Sequence, residues 1–393
     1  MRIRITREVS IPEPFKLELF QRAPELGPKL LFFSGGTALR KTSQALIRYT
    51  HNSIHLITPF DSGGSSAVIR DAFAMPAVGD IRNRLMALAN QSVRGNPEIF
   101  DLFAHRLPKD KKQAALRAEL VDMAEGEHDM VRRIPDPMRK IIRNHFHQFL
   151  DAMSEEFDLR GASIGNLVLT SGYLVNRRQM DPVIYIFTKL VQVCGTVRPT
   201  INKDLHIAVR LENGKTIVGQ HMITGKQVAP LDSPIKDIWL TKSLDDSTPA
   251  QAAIRNKVAK RIAEADLICY PVGSFYSSVV ANLLPQGVGK AVAANTCPKV
   301  FVPNMGYDPE ATGLSVADRA VLLKKYLKQS GASDDRQSLE FVVLDSQNGD
   351  YPDGIDQKNL EAQGLTIIDC ALVDKNENRI DGQKLSEVLL SLA

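Results

Sequence analysis

The stretch K-L-L-F-F-S-G-G-T, Lys29 to Thr37, decides how this chain is read. A continuous apolar run of strand length, Lys29 to Phe33, stops at Ser34-Gly35-Gly36-Thr37. A helical pattern follows from Ala38 to Tyr49, with Leu39, Thr42 and Leu46 on one face. The order then repeats. Ser53 to Thr58 reads as a second strand, Asp61-Ser62-Gly63-Gly64-Ser65-Ser66 as a second loop, and the segment holding Val68, Ile69 and Phe73 as a second helix. Strand, glycine loop and helix in that order are the signature of βαβ units and predict a parallel sheet.

The pattern returns late in the chain. A helix is expected over Pro249 to Ala265, a strand over Leu267 to Pro271, the loop Val272-Gly273-Ser274, and a helix through Leu284. Further strands are expected at Lys299 to Pro303, Phe341 to Leu344 and Leu365 to Ile368. Between these halves lie two regions of other character. Residues 96–160, rich in Lys, Arg, Glu and Asp at helical spacing, read as a helical insertion or cap. Within 195–240, His206 to Leu211, Asn213-Gly214 and Thr216 to Val218 read as a hairpin, with a further strand over Ile235 to Leu240. A helix over Asp181 to Cys194 is expected to end at Gly195 as its C′ residue. Residues 1–27 read as a strand or arm with a proline-punctuated lead-in. The expected division is 1–95 and 161–393 for the α/β body, with 96–160 inserted.

The loops carry the chemistry. A buried strand that ends in glycines and opens a helix is suited to anions, because the backbone can approach a phosphate and the first helical amides face it. Ser34, Gly35, Gly36 and Thr37 form one such loop, and Gly63, Gly64, Ser65 and Ser66 a second. Gly273, Ser274, Ser277 and Ser278 form another. In a parallel sheet all such loops lie at one edge, where ligands bind. Asp61 reads either as a carboxylate holding Mg²⁺ between phosphate oxygens or as a loop Asp making a local turn bond. In Gly79-Asp80-Ile81-Arg82-Asn83, Asp80 is a good N-cap, and an Arg in a first helical turn is best understood if it meets an anion.

Composition sets the outer limits. Among 393 residues, 49 are basic and 45 acidic, a formal charge of +4, which gives no ground for a nucleic-acid or membrane-surface partner. No run approaches the roughly 20 apolar residues of a spanning helix, and Met1 to Ser10 has no apolar core of a signal peptide. The four scattered cysteines, without a C-x-x-C pair, are expected to be reduced and mostly buried, in the cytoplasm. His145 and His147, two apart on a helix, point in different directions, and His55, His206 and His221 have no matched partners. The basic run Lys109 to Lys112 reads as a solvated helix face.

Taken in order, F-S-G-G-T-A-L at Phe33 to Leu39, D-S-G-G-S-S at Asp61 to Ser66, G-D-I-R-N at Gly79 to Asn83 and G-N-L at Gly165 to Leu167 form a recognisable set, completed by G-S-F-Y-S-S at Gly273 to Ser278 and A-N-L-L at Ala281 to Leu284. The set resembles the CofD and YvcK superfamily over nearly the whole chain. That resemblance implies a Rossmann-like α/β fold with helices on both faces of the sheet, a cytoplasmic location and a homodimer. It implies either Mg²⁺-dependent 2-phospho-L-lactate transfer from a guanosine diphosphate carrier, or nucleotide-sugar binding by a regulator of cell-wall or carbon metabolism. The ligand is accordingly expected to be a guanosine diphosphate compound, a UDP-sugar or a dinucleotide. Asp61 is the expected catalytic and metal residue. Arg70 or Arg82 would neutralise charge, and Gly79, Asp80, Asn83 and Asn166 would join the loops in binding. The chain departs from the family pattern at Ala38, at Ser62 in place of a second acid, at Ala162 in place of a histidine, and at Val272.

Overall fold

The computed structural model describes residues 8–91, 95–225, 228–333, 337–374 and 376–393. The first helix among the described residues is α1 (Pro14–Arg22), in the segment expected to be a strand or arm with a proline-punctuated lead-in. Met1 to Arg7, also within the segment expected to hold that strand or arm, lie outside the described residues. Strand β1 (Leu30–Ser34), helix α2 (Arg40–Leu46), strand β2 (Ile54–Ile57) and helices α3 (Gly64–Phe73) and α4 (Gly79–Ala87) come next. Six further helices follow: α5 (Pro97–Ala104), α6 (Gln113–Glu125), α7 (Asp129–Arg132), α8 (Met138–Ala152), α9 (Ile164–Val175) and α10 (Met180–Leu190). Strands β3 (Thr196–Pro199), β4 (His206–Leu211), β5 (Thr216–Val218) and β6 (Ile235–Thr241) precede α11 (Asn256–Ala263) and β7 (Leu267–Tyr270). A π-wound turn (Phe275–Val280) runs into α12 (Ala281–Leu283), and α13 (Val288–Ala294) follows. The chain closes with β8 (Lys299–Phe301), α14 (Val316–Gln329), β9 (Phe341–Leu344), α15 (Gln357–Ala362), β10 (Thr366–Asp369), the short pair β11 (Val373–Asp374) and β12 (Arg379–Ile380), and α16 (Gly382–Leu392).

Seven strands form one parallel sheet in the order β10-β9-β8-β7-β1-β2-β3. Alternation along β1 shows why its residues are apolar throughout. Leu31 and Phe33 enter a core shared with α11, α13, α14 and the small sheet, while Leu30 and Phe32 enter one shared with α1, α2 and α16. A strand covered on both faces has no polar side, hence the unbroken L-L-F-F. From β1 the order runs outward through β2 in one direction, and from β7 outward through β8 in the other. The loops after β1 and β7 therefore diverge, and a crevice opens between them at the carboxyl edge of the sheet.

A third core joins α4 through α10: Leu85, Phe103, Leu116, Phe146, Leu167 and Phe187 all belong to it. The acidic and basic residues of α5 to α8 cover an apolar interior that α9 and α10 complete. The expected hairpin is β4–β5, with Gly214 at φ +86°, and β6 pairs on the other side of β4 to make a three-stranded antiparallel sheet. Three further sequence expectations fail. Helix α10 stops at Leu190 and Gln192 takes the left-handed conformation (φ +49°), so Gly195 is no helix cap and instead leads into β3. The helix expected from Pro249 begins only at Asn256, because Ala253 bridges to Gln286. Of the cysteines only Cys269 is fully buried; Cys194, Cys297 and Cys370 are half-buried, and all four are free.

Candidate functional site

The crevice widens into a cleft of about 510 Å³. Its first wall is Ser34 to Leu39, the loop after β1. Helix α2 starts at Arg40 rather than Ala38, so this wall is loop backbone and not yet helix. Its glycines lie in close approach to two side chains. A Cβ on Gly36 would lie 2.2 Å from Oδ1 of Asp80, and one on Gly35 would lie 2.6 Å from Oγ of Ser278. Beneath the loop sits Arg84, which has no exposed surface. Its Nη2 donates to the carbonyls of Gly35 (2.9 Å) and Gly36 (3.4 Å) and to Oγ of Ser34 (3.4 Å). Its Nη1 donates to the carbonyl of Leu39 (3.0 Å) and to Ser43. Burial lowers the Arg84 pKa to about 10, against the favourable charge of Asp80, so the guanidinium remains cationic at neutral pH.

The second wall is Asp61 and Gly63 to Ser66, leading into α3. Asp61 Oδ1 accepts the amide of Gly63 at 3.1 Å, the local turn bond that the sequence left open. Gly64 takes φ +51°, which favours glycine. The start of α4 presses against this loop: a Cβ on Gly79 would lie 2.6 Å from Ser66 Oγ and 3.4 Å from Asp61 Oδ2. Asn166, one turn into α9, donates to Ser65 Oγ at 3.2 Å and accepts Nε of Arg82 at 3.4 Å. Arg82 is nearly buried, and its pKa falls to about 10 through burial and the neighbouring Arg106 and Arg40, with Asp80 opposing. Arg106, Lys109 and Arg160 bring further positive charge to the same cleft, Arg160 being paired with Asp158 at 2.9 Å.

The third wall, Val272 to Ser274 with Ser278, differs in one respect. The amides of the following turn already have acceptors. Phe275 N–H donates to Asp308 Oδ2 at 2.9 Å, and Ser277 donates from its amide to Glu310 Oε2 (2.7 Å) and from Oγ to Oε1 (2.5 Å). Burial, with the charge of Asp308 beside it, pushes the Glu310 pKa up to about 7. A pair of protein carboxylates thus occupies the helix start that a ligand phosphate would otherwise reach.

Seventeen of the expected residues meet in this cleft: Ser34, Gly35, Gly36, Thr37, Asp61, Gly63, Gly64, Ser65, Ser66, Gly79, Asp80, Arg82, Asn83, Asn166, Gly273, Ser274 and Ser278 all line it. Two do not. Arg70 turns inward to Asp204 (2.6 Å) and to the carbonyls of Phe60, Asp61 and Leu205, and Ser277 is buried on Glu310. The sequence reading missed Arg84, Arg106, Lys109, Arg160 and His221. Lys109 to Lys112 are exposed as expected but not helical, since α6 begins at Gln113, and Lys109 lines the cleft. His221 was expected to lack a partner, yet its Nδ1 lies 2.8 Å from Ser62 Oγ.

Among the described residues no cluster of three or more His, Cys, Asp and Glu is arranged to hold a metal. Mg²⁺ needs fewer, since it takes one or two carboxylates and fills its shell with water and phosphate oxygens. Asp61 and Asp80, both in the cleft, fit that donor set. No helix among the described residues is long and apolar enough to cross a membrane.

The chain is similar to proteins of known name over nearly its full length. It is 26% identical over 382 residues to the gluconeogenesis factor of Bacillus subtilis (strain 168), covering 93% of this chain and 98% of that one. It is 25% identical over 372 residues to the gluconeogenesis factor of Halalkalibacterium halodurans, covering 92% and 95%. The crystal structure of a UPF0052 family member from Bacillus halodurans shares the fold, with a TM-score of 0.68 at 22% identity, covering 93% of this chain and 99% of that one. Residues 30–380 match the family model described as 2-phospho-L-lactate transferase CofD, so the chain belongs to the CofD family.

Proposed function

We propose that the cleft binds a phosphate-bearing, nucleotide-type ligand, its phosphates held by the backbone of Ser34 to Thr37 and Gly63 to Ser66 and neutralised by Arg82, Arg106 and Lys109. One observation carries this reading: two glycine loops and three cationic side chains from separate parts of the chain converge on one cleft at the sheet's switch point. Amides and guanidinium groups serve the same acceptor, and a phosphate satisfies both.

Two functions use such a site. In the first, the chain is a Mg²⁺-dependent transferase. An acceptor hydroxyl attacks the outer phosphorus of a nucleoside diphosphate donor, the bridging P–O bond breaks, nucleoside monophosphate leaves with the bond's electron pair, and the hydroxyl proton passes to solvent. Mg²⁺ at Asp61, when bound, would offset charge on the phosphates. The residues would align the two reactants and stabilise the negative charge of the transition state, which requires no nucleophile from the protein. The family's description supports this reading. In the second, the site senses a nucleotide sugar or dinucleotide without reaction, and the full-length match to gluconeogenesis factors supports it. A cytoplasmic homodimer belongs to both proposals.

Thermal-shift measurements with GDP, GTP, UDP-sugars, NAD and flavins, each with and without Mg²⁺, separate the two, since a ligand of the native state raises the melting temperature. Stabilisation by a guanosine diphosphate compound only with Mg²⁺ supports transfer, and Asp61→Asn then abolishes turnover. Metal-independent stabilisation by a UDP-sugar or NAD supports the sensor. No shift with any of them defeats the proposal.

A further inference from the structure

The turn at Gln220 to Met222 brings to the cleft a histidine that the proposal above does not use. Its Nδ1 is 2.8 Å from Oγ of Ser62, a side chain only 5% exposed. The same oxygen accepts the main-chain N–H of His221 at 3.3 Å. With that donor already supplied, the hydroxyl hydrogen is free to point at Nδ1. In that arrangement Nδ1 accepts and the ring N–H is Nε2, whereas with the hydroxyl turned away the same oxygen would accept Nδ1–H. Ser62 stands between Asp61 and the Gly63–Ser66 wall, so the ring is tethered at the edge of the second loop. On the same turn Gln220 lines the cleft, and its Oε1 is buried with no hydrogen-bond partner among the described residues. This wall is polar, fixed at one end and incomplete at the other.

We propose that His221 contacts the ligand, donating Nε2–H to a phosphoryl oxygen, and that Ser62 is the positioning residue that sets its tautomer. The proposal rests on the phosphate reading of the cleft. It gives the site a directional donor near Arg82, a guanidinium that Arg106 and Arg40 already repel. It also gives Ser62 a role distinct from that of an acid, since a hydroxyl can donate to Nδ1 and an ionised carboxylate can only accept from it.

The test titrates inorganic pyrophosphate with Mg²⁺ into the full chain and its variants by calorimetry. His221→Ala is expected to weaken binding about tenfold, the loss of one hydrogen bond to a charged acceptor. Ser62→Ala is expected to weaken it about threefold, and imidazole nitrogen NMR should show the His221 tautomer changing from Nε2–H to a mixture. His221→Gln, which retains a side-chain donor, should recover part of the loss and keeps the test open if the alanine variant folds poorly. Arg82→Ala is the reference for the phosphate reading. If Arg82→Ala weakens pyrophosphate while His221→Ala and His221→Gln bind as wild type, the role of His221 is overturned and the phosphate site stands. An Nδ1–H tautomer in the wild type also overturns it. If wild type binds no pyrophosphate, both proposals fall together.

Discussion

The loops after β2 and β7 look alike in sequence and differ in structure. Each follows a buried strand, each is rich in Gly and Ser, and each opens a helical turn. In Asp61 to Ser66 the protein leaves the helix start facing the cleft. In Gly273 to Ser278 it covers the helix start with Asp308 and Glu310, which arrive from more than thirty residues away. A helix N-terminus attracts negative charge whatever its source. The motif therefore states a need for an anion, and the rest of the chain decides whether a ligand or a side chain meets it.

Four measurements test the difference between the two loops. The largest effect is expected at Arg84, which braces the ligand-facing side. Arg84→Met leaves the carbonyls of Gly35, Gly36 and Leu39 without their buried donor, and chemical denaturation should show a loss of about 3–5 kcal/mol. A loss under about 1 kcal/mol would mean the loop holds itself. Arg82→Ala should weaken binding of pyrophosphate or of the identified ligand at least tenfold while leaving the melting temperature within a few degrees of wild type. The mirror case is Ser277→Ala, which strips a donor from buried Glu310. It should lower stability by about 1–3 kcal/mol and leave pyrophosphate affinity unchanged. A change in affinity would show that the capped loop also serves the ligand. The smallest effect concerns pH. The Glu310 pKa of about 7 stands above its ordinary carboxyl value of 4.5, so the folded state binds the extra proton between those limits. Its contribution is fully present below pH 4.5 and is lost as pH rises through about 7. Melting temperatures of wild type should decline across that window more steeply than those of Glu310→Gln.

Local pattern carried much of the fold. L-L-F-F, I-H-L-I and L-I-C-Y are short apolar runs bounded by turn residues, and all three are central strands. Strand β3 escaped because T-V-R-P is an edge strand, half-buried, with a proline tolerated only at such a margin. The Pro249 helix was drawn too long because the bridge of Ala253 to Gln286 is a tertiary contact with no local signal. In the site, loop residues were legible because glycines mark close approach. Arg70 and Arg84 were not, since only three-dimensional partners distinguish an arginine braced against carbonyls from one that meets a ligand. Arg106 and Lys109 were hidden in a charged stretch, where nothing local marks the residues that line the cleft. His221 and Ser62, 159 residues apart, share no pattern at all.

Arg84 has one more consequence. The carbonyl of Gly35 and the amide of Gly36 belong to a single rigid plane and point in opposite directions, as do the carbonyl of Gly36 and the amide of Thr37. Turning both carbonyls down onto the guanidinium turns both amides up, away from it. The orientation of these two peptides is thus set from below during folding, before any anion arrives, and a ligand need not reorder the loop to be held by it.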